Sequence, residues 1–166
     1  MSKVSEAIAK FRKVDISYDY SSLPQDIKNA LPHLKKAFDL ITTVFMRQQM
    51  EGLPEIYEKV MSENDEEKKE FWKQFKGPWS QLDDYKSLYP EFKDRPATCA
   101  FYPADITKEE WEKALAGMDA AEKELMNDTY TVIIRENGKL KPVPYHVYYA
   151  EELGEIFDHL ENAAEC

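Results

Sequence analysis

The pair Asn137–Gly138 restricts this chain more than any other feature. Both residues accept the left-handed dihedrals of a two-residue type I′ turn. The flanking alternation, TYTVIIRE before it and KLKPVPY after it, therefore predicts an antiparallel hairpin. The turn also sets the register. Glu136 falls opposite Lys139, Val132 opposite Val143 and Tyr130 opposite Tyr145, which gives a charge pair and one apolar face. Pro142 and Pro144 share one side of the second strand and have no N–H, so that strand is expected to be an edge. After Tyr145 the alternation stops. Tyr149, Leu153, Ile156 and Leu160 share one helical face and predict a final amphipathic helix.

The rest of the chain reads as helical. Ser22 with Gln25 predicts a helix start, and Pro32 predicts a kink or restart. Leu31, Leu34, Phe38, Ile41 and Phe45 form one apolar stripe ending near Gln49. Gly52–Leu53–Pro54 breaks it, and Ile56, Tyr57, Val60 and Met61 make a second short face. SENDEEKKEFWKQF predicts a third helix capped by Ser62 or Asn64, with Phe71, Trp72 and Phe75 covering a core edge. A long irregular connection follows, rich in aromatic residues that should pack back onto the body. Thr107 with Glu110 and Asp119 with Glu122 are capping boxes for helices closing near Gly117 and Asn127. Residues 1–20 read as an arm or short helix, because Val4, Ile8 and Phe11 have helical spacing while VDISYDY alternates. Residues 21–164 read as a single domain. The expected class is α+β: predominantly helical, with a small antiparallel β-hairpin or small sheet.

Charge narrows the partners. Lysine and arginine number 22 against 32 acidic residues, a net charge of −10, which disfavours nucleic acid and anionic membranes. Hydrophobic residues at 43% and aromatics at 13% suit a folded globular chain. No apolar run is long enough to span a membrane, and MSKVSEAIAKF lacks the core of a signal peptide. Cys99 and Cys166 form no CxxC pair. A reducing, cytoplasmic setting is the expectation.

Motifs for chemistry are sparse. His33, His146 and His159 are far apart in sequence and none lies in HExxH. Five glycines support no phosphate-binding loop. The carboxylate clusters read as solvated helix faces. Cys99, in RPATCAFYP, reads as a small apolar residue, with pairing to a distant His33 or His146 as the catalytic alternative. The aromatic residues Trp79, Tyr85, Phe101 and Tyr102 serve either as core packing or as the wall of a cleft for a peptide or apolar ligand.

Four segments carry a family resemblance: HLKKAFDLITTVFMRQQM, FKGPWSQLDD, FYPADITKEEWEKAL and YTVIIRENGKLKPVPYHVYYAEEL. In this order they resemble the region before the zinc motif in the M49 metallopeptidases, dipeptidyl peptidase III and its shorter bacterial and plant relatives. The resemblance runs from about residue 20 to about residue 162. It implies one lobe of a two-lobed zinc peptidase with a wide cleft. The HExxGH motif of that family is absent from this sequence, so no zinc ligand or catalytic glutamate carries over. The expectation is a non-catalytic lobe with no cofactor, no metal ligand and no catalytic residue. It would bind peptide weakly, or act joined to the missing zinc-bearing lobe. Candidate peptide contacts are Trp79, Phe101, Tyr102, Tyr130 and Tyr145. Two other readings stand beside it: a protein-interaction domain, and a small hydrolase using Cys99 or carboxylates.

Overall fold

The computed structural model describes residues 2–166. Eight helices and two small hairpins follow one another: α1 (Lys3–Ala9), α2 (Gln25–Gln49), α3 (Leu53–Ser62), α4 (Glu66–Phe75), β1 (Trp79–Ser80), β2 (Lys86–Ser87), α5 (Lys108–Gly117), α6 (Ala120–Met126), β3 (Thr131–Glu136), β4 (Lys139–Pro144), α7 (Tyr145–Tyr148) and α8 (Ala150–Ala164). Each hairpin is a separate two-stranded antiparallel sheet. The expected α+β class, mainly helical, is the class observed.

The β3–β4 register is the one the turn dictates. Val132 faces Val143 and Glu136 faces Lys139. Asn137 and Gly138 take φ of 51° and 74°, the left-handed values a type I′ turn needs. The Tyr145 amide donates to Tyr130 O at 2.8 Å, which extends the ladder by one pair. Pairs alternate along an antiparallel ladder, so Pro142 and Pro144 occupy the positions whose amides would point away from β3. The prolines therefore cost the ladder nothing and leave the outer edge of β4 short of donors. One expectation changes. Val132 and Ile133 point to opposite faces, yet both are buried, so the hairpin is covered on two sides rather than one.

Two apolar cores result. The first joins α1, α3 and α4 with the end of α2 and Trp79, around Leu53, Val60, Phe71, Trp72 and Phe75. Its rings interlock: Phe71 stacks on Phe75 at 4.4 Å, and Trp72 meets Phe92 at 5.6 Å. The aromatic connection after α4 is anchored here. The Trp79 indole N–H donates to Lys93 O at 2.9 Å, and the Asp94 carboxylate accepts from the Ser87 amide. Gly77 permits this fold-back, since a Cβ there would lie 3.1 Å from the Trp79 ring. The second core packs Met126, Ile133 and Leu140 with Ile106, Trp111 and Leu115, laying α5 and α6 on the long hairpin.

Helix starts differ in detail from the sequence reading. Pro24, not Ser22, precedes α2, and Ser22 instead ends a 3₁₀ turn with its hydroxyl on Asp19 O. Asp65, not Ser62 or Asn64, caps α4, accepting from the Lys68 amide at 2.9 Å. Asp119 and Glu122 form the full reciprocal box. Thr107 accepts from the Glu110 amide, but Glu110 turns its carboxylate to Arg135. Nor does Pro32 interrupt α2, which runs unbroken for 25 residues, about 37 Å. The Lys28 carbonyl, whose amide partner Pro32 removes, accepts instead from the Tyr20 hydroxyl at 3.4 Å.

Helix α2 pairs with α8. Arg47 near the end of α2 meets Glu152 near the start of α8, while His33 and His159 face one another at the other end, so the two run antiparallel. The seam on α2 is made by Ala30 and Ala37, small residues that let the axes approach. The large residues of the sequence stripe point elsewhere: Phe38 is 60% exposed, Ile41 48% and Phe45 38%.

Candidate functional site

A shallow groove of about 390 Å³ opens where the end of α2, the 96–104 loop, β3 and α7 converge. Backbone bonds fix its walls. The Ala100 amide donates to Gln48 O at 2.9 Å, tying the loop to α2. The Ile133 amide donates to Phe101 O at 2.8 Å, tying the same loop to the outer edge of β3. Cys99 sits at the turn between these ties with φ of 50°, a left-handed conformation rare for a residue with a side chain. Its thiol is free and half-buried in the groove wall.

Both hairpin edges are thereby restricted. Pro142 and Pro144 remove donors from the outside of β4, and Phe101 O already occupies the Ile133 amide on the outside of β3. An extended peptide cannot add a full strand to either side. Binding in this region has to use side chains and the groove floor.

Three arginines surround the groove, two of them paired with carboxylates. Arg47 pairs with Glu51 at 3.1 Å and with Glu152 at 2.5 Å, and its guanidinium lies over Tyr148 and Tyr149, 5.4 and 5.1 Å from the ring centroids. The Tyr148 hydroxyl donates to Glu51 at 3.2 Å. Arg95 lies 3.4 Å over the Tyr85 ring and hydrogen-bonds Gln49. Arg135 forms a bidentate pair with Glu110, at 2.8 and 3.0 Å, and a further bond to Asp105 at 2.9 Å. Arg135 holds both of those carboxyls below the ordinary carboxylate range. Burial pushes the Tyr148 phenol up, and the Glu51 charge adds to it. Burial likewise raises Tyr149, whose hydroxyl is enclosed without a partner.

Three of the five sequence candidates meet in one series of rings, and a fourth, Tyr102, lines the groove. Phe101 stacks parallel to Tyr145 at 6.1 Å, and Tyr130 meets Tyr145 edge-on at 6.0 Å. Tyr145 continues the series edge-on to Tyr149 at 5.5 Å. Tyr102 leans on Trp111 at 5.8 Å and lines the groove. Tyr130 is 72% exposed at the open end of this ladder. Trp79 lies apart, buried in the first core. Arg47, Glu51 and Tyr148 are not among the candidates that the sequence marks. The i, i+4 spacing of Arg47 and Glu51 is visible in the sequence, but the Tyr148 contact spans 97 positions and is not.

Metal ligands do not converge. Among the described residues, no three His, Cys, Asp or Glu side chains are placed to share a metal ion. His33 and His159, distant in sequence, come to 6.1 Å between rings across the α2–α8 seam, while His146 is exposed on α7. No helix among the described residues is long and apolar enough to cross a membrane.

No protein-family model matches the chain. No curated protein matches it either. Two solved structures do. Dipeptidyl-peptidase III (DPP III) from Caldithrix abyssi superposes with a TM-score of 0.85 at 30% identity, over 97% of this chain and 31% of its own. Dipeptidyl-peptidase III from Corallococcus sp. strain EGB gives 0.84 at 31% identity, over 98% of this chain and 31% of its own. The chain thus spans less than a third of the length of the structures it matches. Likeness in both sequence and fold across nearly the whole chain makes it homologous to one part of dipeptidyl-peptidase III.

Proposed function

We propose that this chain is a non-catalytic lobe of the dipeptidyl-peptidase III type, which offers a peptide-contacting wall and works joined to a zinc-bearing part. The carrying observation is the match to dipeptidyl-peptidase III over 97% of this chain but only 31% of the matched structure. The described residues do not fit a zinc centre, since no three ligands converge, so no hydrolytic step is assigned to them. Their contribution is binding and orientation. The groove offers an apolar floor beside Met50, Pro96 and Ala100, with the Tyr102 and Tyr148 rings at its margin. Tyrosine suits such a margin because a rigid apolar ring carries one polar handle. With both strand edges restricted, a peptide is held by side-chain insertion rather than strand addition.

The test is peptide titration followed by NMR, with short apolar peptides as the probe. Chemical-shift changes should cluster at Tyr102, Tyr145, Tyr148 and Cys99. Changes confined to the acidic helices would indicate a charge effect and defeat the reading. In parallel, the purified chain should leave dipeptidyl reporter substrates uncleaved, and metal analysis should find less than one zinc per chain. Metal-dependent turnover above control contradicts the non-catalytic assignment. Activity that disappears on Cys99→Ala would instead support the hydrolase alternative.

A further inference from the structure

The most regular apolar pattern in the sequence is not buried. Phe38, Ile41 and Phe45 of α2 stand outside the seam made by Ala30 and Ala37, and Phe157 and Leu160 of α8 are 59% and 43% exposed. At 100° per residue, the α2 row lies about a sixth of a turn from its seam, and the α8 row lies about a sixth of a turn from Ile156 and Tyr149 in the same rotational sense. The helices are antiparallel, as the Arg47–Glu152 and His33–His159 contacts require. Equal rotations on antiparallel helices bring both rows to the same side of the pair. The result is one continuous apolar face along two helices. Isolated exposed apolar residues are common, but a contiguous face of this kind marks an interaction site.

We propose that this face docks the remainder of the dipeptidyl-peptidase III fold, through a partner surface that is apolar at its centre and basic along one rim. The inference rests on the lobe reading above. Its occupant follows from two observations. More than two thirds of each matched structure has no counterpart in this chain, and that bulk has to pack against the part that does. The second is charge. Helix α8 carries Glu161 and Asp158 beyond Phe157, on the side away from the seam, and no lysine or arginine between Ala150 and Ala164. A buried apolar interface with that rim selects a partner bearing lysine or arginine beside its apolar centre.

The experiment is co-expression of the tagged full chain with the remainder of the Caldithrix abyssi protein, the part this chain does not match. The wild-type chain should recover that remainder as a soluble 1:1 complex by light scattering. The double variant Phe38→Asp/Phe157→Asp should reduce recovery at least ten-fold while keeping the circular dichroism and melting temperature of the wild type, since both positions are exposed. Should the double variant lose its fold, Ile41→Gln with Leu160→Gln provides the milder pair, with the same loss expected. Tyr102→Ala, in the groove, should leave recovery unchanged. No recovery with the wild-type chain overturns the proposal, as does recovery that the face variants do not reduce. A dimer of this chain alone that the face variants abolish also overturns it, by showing a second copy to be the occupant. Peptide shifts separate this inference from the one it rests on. A complex without groove shifts defeats peptide binding and leaves the face standing, whereas groove shifts without a complex defeat the face.

Discussion

The first core and the α2–α8 pair solve the burial problem in opposite ways. Around Trp72, large rings from α4 and the following connection interlock with little exposed surface: Phe71 meets Tyr89 at 5.6 Å and Tyr57 meets Trp72 at 6.5 Å. In the helix pair, alanines fill the seam and the large side chains face outward. The irregular aromatic connection is thus interior, while the most periodic stripe of the chain is surface. Periodicity shows which face of a helix is apolar. It does not show what, if anything, covers that face. The contrast makes a graded set of expectations.

The largest effect belongs to the first core. Trp72 is fully buried against the rings of Tyr57, Tyr89 and Phe92, so Trp72→Ala removes a ring that nothing nearby can replace. A loss of about 3–5 kcal/mol is expected, read as a lower urea midpoint with unchanged slope. A loss below about 1 kcal/mol would mean that the core repacks freely, and the contrast with the helix pair would disappear. The seam comes next. Ala37 has no exposed surface, and Ala37→Leu forces α2 and α8 apart at an expected cost of about 1–3 kcal/mol. If that substitution is neutral, the seam is loose and the outward rows lack a fixed geometry.

How much of this was legible follows from the range of each interaction. The β3–β4 hairpin was readable to the residue pair, because Asn137–Gly138 and the alternation act within about 16 positions. The Asp119–Glu122 box was readable for the same reason. Helix α2 was readable as a helix, but not its continuity through Pro32, since the carbonyl released there is met by Tyr20 from outside the helix. The caps at Pro24 and Asp65 were misplaced by one to three residues, where several polar residues compete for the same role. At the candidate site, Tyr130 opposite Tyr145 follows from the hairpin register, whereas the stacking of Phe101 on Tyr145 does not. Arg47 with Tyr148, the strained Cys99 turn and the facing pair His33 and His159 depend on long-range packing and carry no local signal.

A smaller effect is expected from the exposed charges that tie α5 to the hairpin. Asp105 and Glu110 have carboxyls lowered by Arg135. A lowered folded-state value stabilises above the ordinary carboxylate range and is lost as pH falls through it. Arg135→Ala should therefore lower the melting temperature slightly at pH 7, with the difference from the parent closing below about pH 3. High salt should shrink the difference at pH 7, because all three groups are solvent-accessible. A difference that persists in acid would point to lost packing of the arginine stem rather than lost charge pairing.

The smallest effect is the most discriminating. Phe38 lies at the centre of the longest apolar stripe, and the sequence alone would assign it a core role with a core residue's penalty on removal. Its 60% exposure predicts otherwise. Phe38→Gln should change the stability of the isolated chain by no more than about 0.5 kcal/mol, with melting independent of protein concentration. A loss of several kcal/mol that is independent of concentration would mean that the chain covers this face itself, and α2 would then be an ordinary core helix. A loss that grows on dilution would mean that copies of the chain cover it for one another. Near-zero change, set against the collapse expected for Trp72→Ala, leaves the face apolar and uncovered in the isolated chain, as the docking proposal requires.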